Sequence, residues 1–169
     1  QFQKKSKKLV QPTPKVALGL KIREFATSSI DLSDGLSSDL RHMILASFSG
    51  NSDKIFVELY FEEVLKCLSG NMIDWFAGKK DNLDLVMLAL QSGDEYELCF
   101  SAPVDARTKI REIGKNLNLP LTLIGSVRER SSEKKSHWVN NRSDGLVWLK
   151  SLTNTFDKIF VEKSGYVHF

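Results

Sequence analysis

The sequence predicts an α/β (α+β) domain, a mixed β-sheet with flanking helices. Three observations carry that expectation. Short stretches with apolar residues at alternate positions take turns with longer ones whose apolar residues recur every three or four positions, the periods of strand and helix. The 169 residues are 41% hydrophobic and 27% charged, an ordinary globular balance with enough apolar mass for one core. Strand, turn and helix patterns follow one another over 27–44 with no linker between them.

The elements are read in order. Residues 1–10 are polar and basic, with Lys4, Lys5, Lys7 and Lys8, and read as a solvated linker ahead of a domain spanning 11–169. In Gln11-Pro12-Thr13-Pro14 the two prolines enforce extended backbone and brace the entry. Val16 to Phe25 follows as a short helix with Val16, Leu20 and Ile22 or Arg23 near one face, then Thr27 to Leu32 as a strand. Asp34-Gly35 breaks that strand, and Leu36, Leu40, Met43 and Ile44 form a helical stripe. Ile55, Val57 and Leu59 alternate as a strand packed mainly on one face does. Helices are expected at Glu62 to Leu68 and Leu83 to Leu90, a strand at Tyr96 to Ser101, and a helix over Val104 to Leu117 with Ile110, Ile113 and Leu117 inward. Leu121 to Val127 reads as a strand, Arg128 to Arg142 as a polar excursion, and Leu146 to Leu149 as renewed strand. A second Ser-Asp-Gly-Leu, Ser143 to Leu146, reads as a hairpin turn.

Composition narrows the function classes. The formal net charge of +3 is concentrated in the opening lysines, and no basic, aromatic-studded stripe marks a nucleic-acid binder. The longest apolar run, Leu83 to Leu90, falls far short of the roughly twenty residues that span a bilayer, so no membrane segment is expected. Cys67 and Cys99 stand far apart in apolar stretches and suggest neither a metal knuckle nor a disulfide framework, which makes a reducing cytoplasm the expected location. The start, Gln1-Phe2-Gln3, has neither an initiator Met nor a secretion signal, and reads as the interior of a longer polypeptide.

Three segments carry candidate chemistry. Ser29 to Leu40 sets Asp31, Ser33 and Asp34 at the end of a strand, directly before a helix. Helix N-terminal N–H groups favour phosphate, and carboxylates beside them call for a divalent cation between. Taken alone, the stretch reads more simply as an Asp34-Gly35 turn and helix cap. Gln91 to Phe100 clusters Asp94, Glu95 and Glu97 at the mouth of a strand; a cation would relieve their repulsion, and so would open solvent. The tail Lys163 to Phe169 has three aromatic rings in its last four residues and docks either as core closure or as a stacking surface for a flat ligand.

In this order the pieces resemble the thiamine-monophosphate kinase family, of the same superfamily as aminoimidazole ribonucleotide synthetase. The resemblance rests on Pro12-Thr13-Pro14 with Lys15 and Val16 to Gly19, on Ile30 to Leu36 followed by Asp39-Leu40, on Gly93 to Leu98, on Ile124-Gly125 and on Gly165 to Phe169. One departure is Ser92-Gly93-Asp94-Glu95, where the family pattern is Gly-Gly-Glu-Asp. The resemblance implies a fold like the C-terminal domain of aminoimidazole ribonucleotide synthetase and ATP-dependent phosphorylation of thiamine monophosphate to thiamine diphosphate. It further implies Mg2+ on Asp31 and Asp34, ATP phosphate on Ser33, the cationic thiamine moiety facing Asp94 and Glu95, and Tyr166 stacked near its aminopyrimidine. The implied partners are thiamine monophosphate, ATP, an N-terminal domain of the same polypeptide that this chain lacks, and a second copy in a full-length homodimer. The isolated chain is then expected to be inactive. The alternatives are another ATP-using synthetase of the superfamily and a non-catalytic binding module; retention of Asp31 and Asp34 speaks against the second.

Overall fold

The computed structural model describes residues 11–48, 54–68, 81–93, 96–129 and 147–153, together with the backbone of 158–160. In chain order these form α1 (Val16–Ile22), β1 (Ser28–Asp31), α2 (Leu36–Ser47), β2 (Ile55–Tyr60), α3 (Phe61–Cys67), α4 (Asn82–Gln91), β3 (Leu98–Ser101), α5 (Arg107–Asn116), β4 (Gly125–Glu129), β5 (Val147–Lys150) and β6 (Lys158–Phe160). The strands build two sheets: an antiparallel ribbon of β1 and β3, and a four-stranded sheet in the order β4-β2-β5-β6. Within the larger sheet β2 runs antiparallel to β4 and parallel to β5, so it is mixed as the sequence predicts.

The main core lies between the larger sheet and α2, α3 and α4. Leu40 and Ile44 from α2, Val57 and Leu59 from β2, Val86 and Leu90 from α4 and Val147 from β5 are each at most 4% exposed. Burying each such side chain contributes roughly 1.5–3 kcal/mol over leaving it in water. Strand β2 is buried on both faces, which the one-faced expectation does not capture. Glu58 on its second face is 3% exposed, with Arg128 Nη2 at 3.9 Å and Lys150 Nζ at 3.8 Å from its carboxylate. The neighbouring strands thus supply the counter-charges that a buried carboxylate requires.

A second cluster joins α1 to α5 through Leu18, Ile22 and Ile113, with Leu98 and Phe100 of β3 packed against it. This corrects the predicted face of α1. Leu18 and Ile22, four residues apart, form the buried stripe that meets Ile113, whereas Val16 and Leu20 are 63% and 57% exposed. A second difference concerns the strand expected at Leu121 to Val127. Pairing begins only at Gly125 and continues through Glu129, into the stretch expected to be an excursion. The reason is close approach: a Cβ at Gly125 would collide with the Glu58 carbonyl oxygen, so the glycine marks where β4 can lie against β2. The Ser143 to Leu146 turn and the remainder of the Arg128 to Arg142 excursion lie outside the described residues.

The ribbon is therefore sandwiched between two cores. Ile30 and Cys99 point into the main core, and Leu98 and Phe100 into the second. At its far end β1 gives way to α2, and the described candidate residues Asp31, Ser33 and Asp34 stand there.

Candidate active site

Alternation along β1 sends Ile30 inward and leaves Asp31 exposed on the α1 side of the ribbon. Asp31 lines a cleft of about 320 Å3 together with Pro12, Pro14, Lys15, Tyr96 and Leu98. Lys15 Nζ lies 3.6 Å from Glu97 Oε2 beside it.

Past Asp31 the two motif segments close on each other through their backbones. The Leu32 N–H donates to the Glu97 carbonyl at 2.9 Å, and the Tyr96 N–H donates to the Leu32 carbonyl at 2.7 Å. Tyr96 reaches this position with φ +50°, a left-handed conformation uncommon for a residue with a side chain. Gly35, at φ +103°, sits so near the end of α4 that a Cβ on it would stand 3.0 Å from the Gln91 carbonyl carbon. A Cβ on Gly93 would stand 2.5 Å from the Ser33 carbonyl oxygen. Contact between these loops is thus bought with two glycines. Ser92 needs no such freedom: it has φ −75° and ψ 130°, and its hydroxyl donates to the Ala89 carbonyl at 3.4 Å. That explains how this chain carries serine where the family pattern has its first glycine.

The turn itself is held by a residue to which the sequence reading gave no role. Asp39, in the first turn of α2, accepts hydrogen bonds on Oδ2 from the Ser33 N–H at 2.9 Å and the Asp34 N–H at 3.1 Å. The helix cap is Gly35, in keeping with the reading of the Asp34-Gly35 pair as turn and cap, and no side chain caps the helix. Nor do the N–H groups of residues 33 and 34 face an incoming phosphate, because Asp39 has claimed both. An acid early in a helix, a few residues after a turn, was the signal available in sequence, since a carboxylate there can reach back to preceding N–H groups.

Asp34, Asp39 and His42 present ligand atoms all within 4.8 Å of one another, with Asp34 half-buried, Asp39 2% exposed and His42 exposed. Burial pushes the Asp39 carboxyl above its ordinary value; its two N–H donors oppose that rise, and the Asp34 charge adds to it. Beneath it, burial pushes the Cys99 thiol up to about 11, with the Asp39 charge acting in the same direction. Mg2+ is a hard cation held through one or two carboxylates plus substrate phosphate oxygens. The Asp34 carboxylate matches that requirement and the His42 nitrogen does not, while Asp39 has its Oδ2 engaged by the Ser33 and Asp34 N–H groups.

The structure thus gathers Asp34 with Asp39, seats Ser33 between the two motifs with its hydroxyl 3.4 Å from Asp34 Oδ1, and leaves Asp31 in the adjoining cleft outside the three-residue group. Asp94, Glu95 and Tyr166 lie outside the described residues, although Gly93 and Tyr96 on either side of the acid pair abut the Leu32–Ser33 backbone. Among the described residues no helix is long and apolar enough to cross a membrane.

No family model matches the chain. Curated relatives do. The thiamine-monophosphate kinase of Haemophilus influenzae is 34% identical over 124 residues, covering 73% of this chain and 34% of that protein. The thiamine-monophosphate kinase of Buchnera aphidicola from Schizaphis graminum is 31% identical over 163 residues, covering 96% of this chain and 42% of that protein. Among solved structures, the thiamine-monophosphate kinase of Stenotrophomonas maltophilia superposes with a TM-score of 0.59 at 33% identity, over 74% of this chain and 36% of that one. That of Aquifex aeolicus superposes with a TM-score of 0.53 at 25% identity. The chain spans about a third to two fifths of the length of these curated relatives.

As a class, the fold is an α+β segment shared with the kinases it superposes on. Over the segment matched, the chain belongs to the thiamine-monophosphate kinase family.

Proposed function

We propose that this chain is the C-terminal part of an enzyme that transfers the terminal phosphoryl group of ATP to thiamine monophosphate, giving thiamine diphosphate. The observation that carries the reading is the close backbone approach of the Leu32–Gly35 turn to Gly93 and Tyr96, in a chain similar to a thiamine-monophosphate kinase over 96% of its length. It makes one corner of two acidic motifs that lie about sixty residues apart in sequence.

In this reading Asp34 and Asp31 hold Mg2+, Ser33 meets an ATP phosphate, Asp94 and Glu95 face the cationic thiamine moiety, and Tyr166 stacks near its aminopyrimidine. Mg2+ would supply neutralisation of charge shared between two anionic reactants that otherwise repel. The chain's own residues position and orient: a turn held rigid from beneath presents Asp34 and the Ser33 hydroxyl, and the cleft beside Asp31 offers apolar walls for a ring. Transfer of this kind needs alignment and electrostatic stabilisation, with no covalent enzyme intermediate. Two or three carboxylates do not clamp several metal ions and a triphosphate, so the remainder of the kinase fold completes the site, within a cytoplasmic homodimer.

The test has two arms. The purified chain with ATP, Mg2+ and thiamine monophosphate should form no thiamine diphosphate. Joined in register to the portion of the Haemophilus influenzae kinase that it does not match, it should support turnover, and Asp34→Asn should lower kcat by roughly 100-fold, the scale on which single electrostatic stabilisers act. A folded chimera that binds MgATP yet leaves thiamine monophosphate unconverted would contradict the proposal, as would turnover by the chain alone.

A further inference from the structure

We infer that Asp39 is the positioning residue of this site, acting through the backbone of Ser33 and Asp34. The inference rests on the functional reading above. Three features carry it. One carboxylate oxygen, Oδ2, takes both N–H groups, at 2.9 and 3.1 Å, reaching back five and six residues across the turn. The side chain is 2% exposed, so this grip is exercised from inside the protein and not from the open face. The Gly35 cap contributes no side chain, and its φ of +103° is a conformation that other residues rarely adopt.

A turn with this backbone freedom would sample several orientations without an anchor. Drawing the N–H groups of residues 33 and 34 inward takes these two amides away from a ligand in front of the turn. The corner is therefore built to present the Asp34 carboxylate and the Ser33 hydroxyl, while Asp39 stays behind them. Its role then depends on its capacity to accept two hydrogen bonds and only secondarily on its charge, which separates a positioning residue from a metal ligand.

Nuclear magnetic resonance of the 15N-labelled chain, titrated with Mn2+ as a paramagnetic substitute for Mg2+, makes that separation. Wild-type protein should lose the Ser33, Asp34 and Gly35 amide signals first. Asp39→Ala should free the Ser33 and Asp34 amides to exchange with solvent and raise the Mn2+ concentration for half-loss by about tenfold or more, as the removal of two charge-assisted hydrogen bonds implies. Asp39→Asn keeps an acceptor oxygen without the charge, and should return the half-loss concentration to within about threefold of wild type, since an interaction with one nearby charge at a solvated site is modest. If Asp39→Asn is as defective as Asp39→Ala, Asp39 is a ligand and the inference is overturned. It is equally overturned if Asp39→Ala binds like wild type. Absence of selective signal loss at 33–35 in the wild-type chain would instead overturn the metal-binding reading itself, and this inference with it. Should Asp39→Ala fail to fold, the Asp39→Asn titration together with its amide exchange still decides: a large loss of Mn2+ binding with the Ser33 and Asp34 amides still protected contradicts positioning.

Discussion

Two corners of this molecule are each held by one carboxylate, and they are held in opposite ways. At the end of β1, Asp39 accepts two backbone N–H groups while almost wholly buried, and burial raises its carboxyl above the ordinary value. At the end of β5, Glu62 from α3 accepts from the Leu152 N–H at 2.8 Å, the Ser151 hydroxyl at 2.7 Å and the Thr153 hydroxyl at 2.8 Å. It stands near the surface. Partial burial opposes its ionisation, but the hydrogen bonds from Leu152, Ser151 and Thr153 prevail and bring the carboxyl down to about 2. The fold favours the charged form at the Glu62 corner and opposes it at the Asp39 corner. That difference is what a polar corner kept for a ligand is expected to show, because local cost is retained where the environment awaits a partner.

Backbone substitutions break the comparison most severely. Gly35→Ala forces a side chain into a left-handed turn against the Gln91 carbonyl, and Gly93→Ala drives a Cβ into the Ser33 oxygen. Each should lower the unfolding free energy by about 2–4 kcal/mol, read from denaturant melts, whereas Ser92→Gly should cost less than about 1 kcal/mol. Equal effects at positions 92 and 93 would mean that the two loops do not touch as described.

The carboxylates themselves come next. Glu62→Gln should destabilise by about 1 kcal/mol at neutral pH, a figure discounted for solvent screening at this near-surface site. Glu62 has a folded value near 2 against an ordinary 4.5, so its contribution is complete above 4.5 and vanishes as pH falls toward 2. Wild-type and Glu62→Gln melting temperatures should therefore converge over that interval and stay apart above it. Asp39→Asn should cost less than Glu62→Gln, about 0.5 kcal/mol, because the lost charge-assisted bonds are offset by relief of desolvation. A larger loss at Asp39 than at Glu62 would reverse the contrast.

The smallest expected change is none. Cys99, half-buried against the main core with its thiol pushed up to about 11, should resist iodoacetamide at pH 8 until the chain unfolds. Labelling of native Cys99, located by peptide mass, would show that the floor of the site corner opens readily.

Much of this was legible beforehand. The helical stripe of α2 follows from side-chain period, because it buries one regular face in the main core; the strands at Ile55 to Leu59 and Leu98 to Ser101 show their strand character in sequence, although both are covered on two faces. The neighbourhood of Ser33 and Asp34 follows from motif order. What could not be read are facts of tertiary contact. Which apolar pair of α1 turns inward depends on where Ile113 arrives from α5. The burial of Glu58 depends on Arg128 and Lys150 from strands distant in sequence. The role of Asp39 depends on a turn folding back over its carboxylate, and that of Gly93 on a carbonyl oxygen about sixty residues earlier in the chain.

The central proposal is that the turn after β1, with Gly93 and Tyr96 beside it, contributes to one binding site for thiamine monophosphate and Mg2+. Amide chemical-shift mapping of the labelled chain, with thiamine monophosphate added in the presence of Mg2+, addresses it most directly. The account predicts concerted shifts at Ser33, Asp34 and Gly35 and at Gly93 and Tyr96, weakened together by Asp34→Asn. Shifts confined to one segment, or centred on the separate cleft between Arg111 and Leu121, would contradict it.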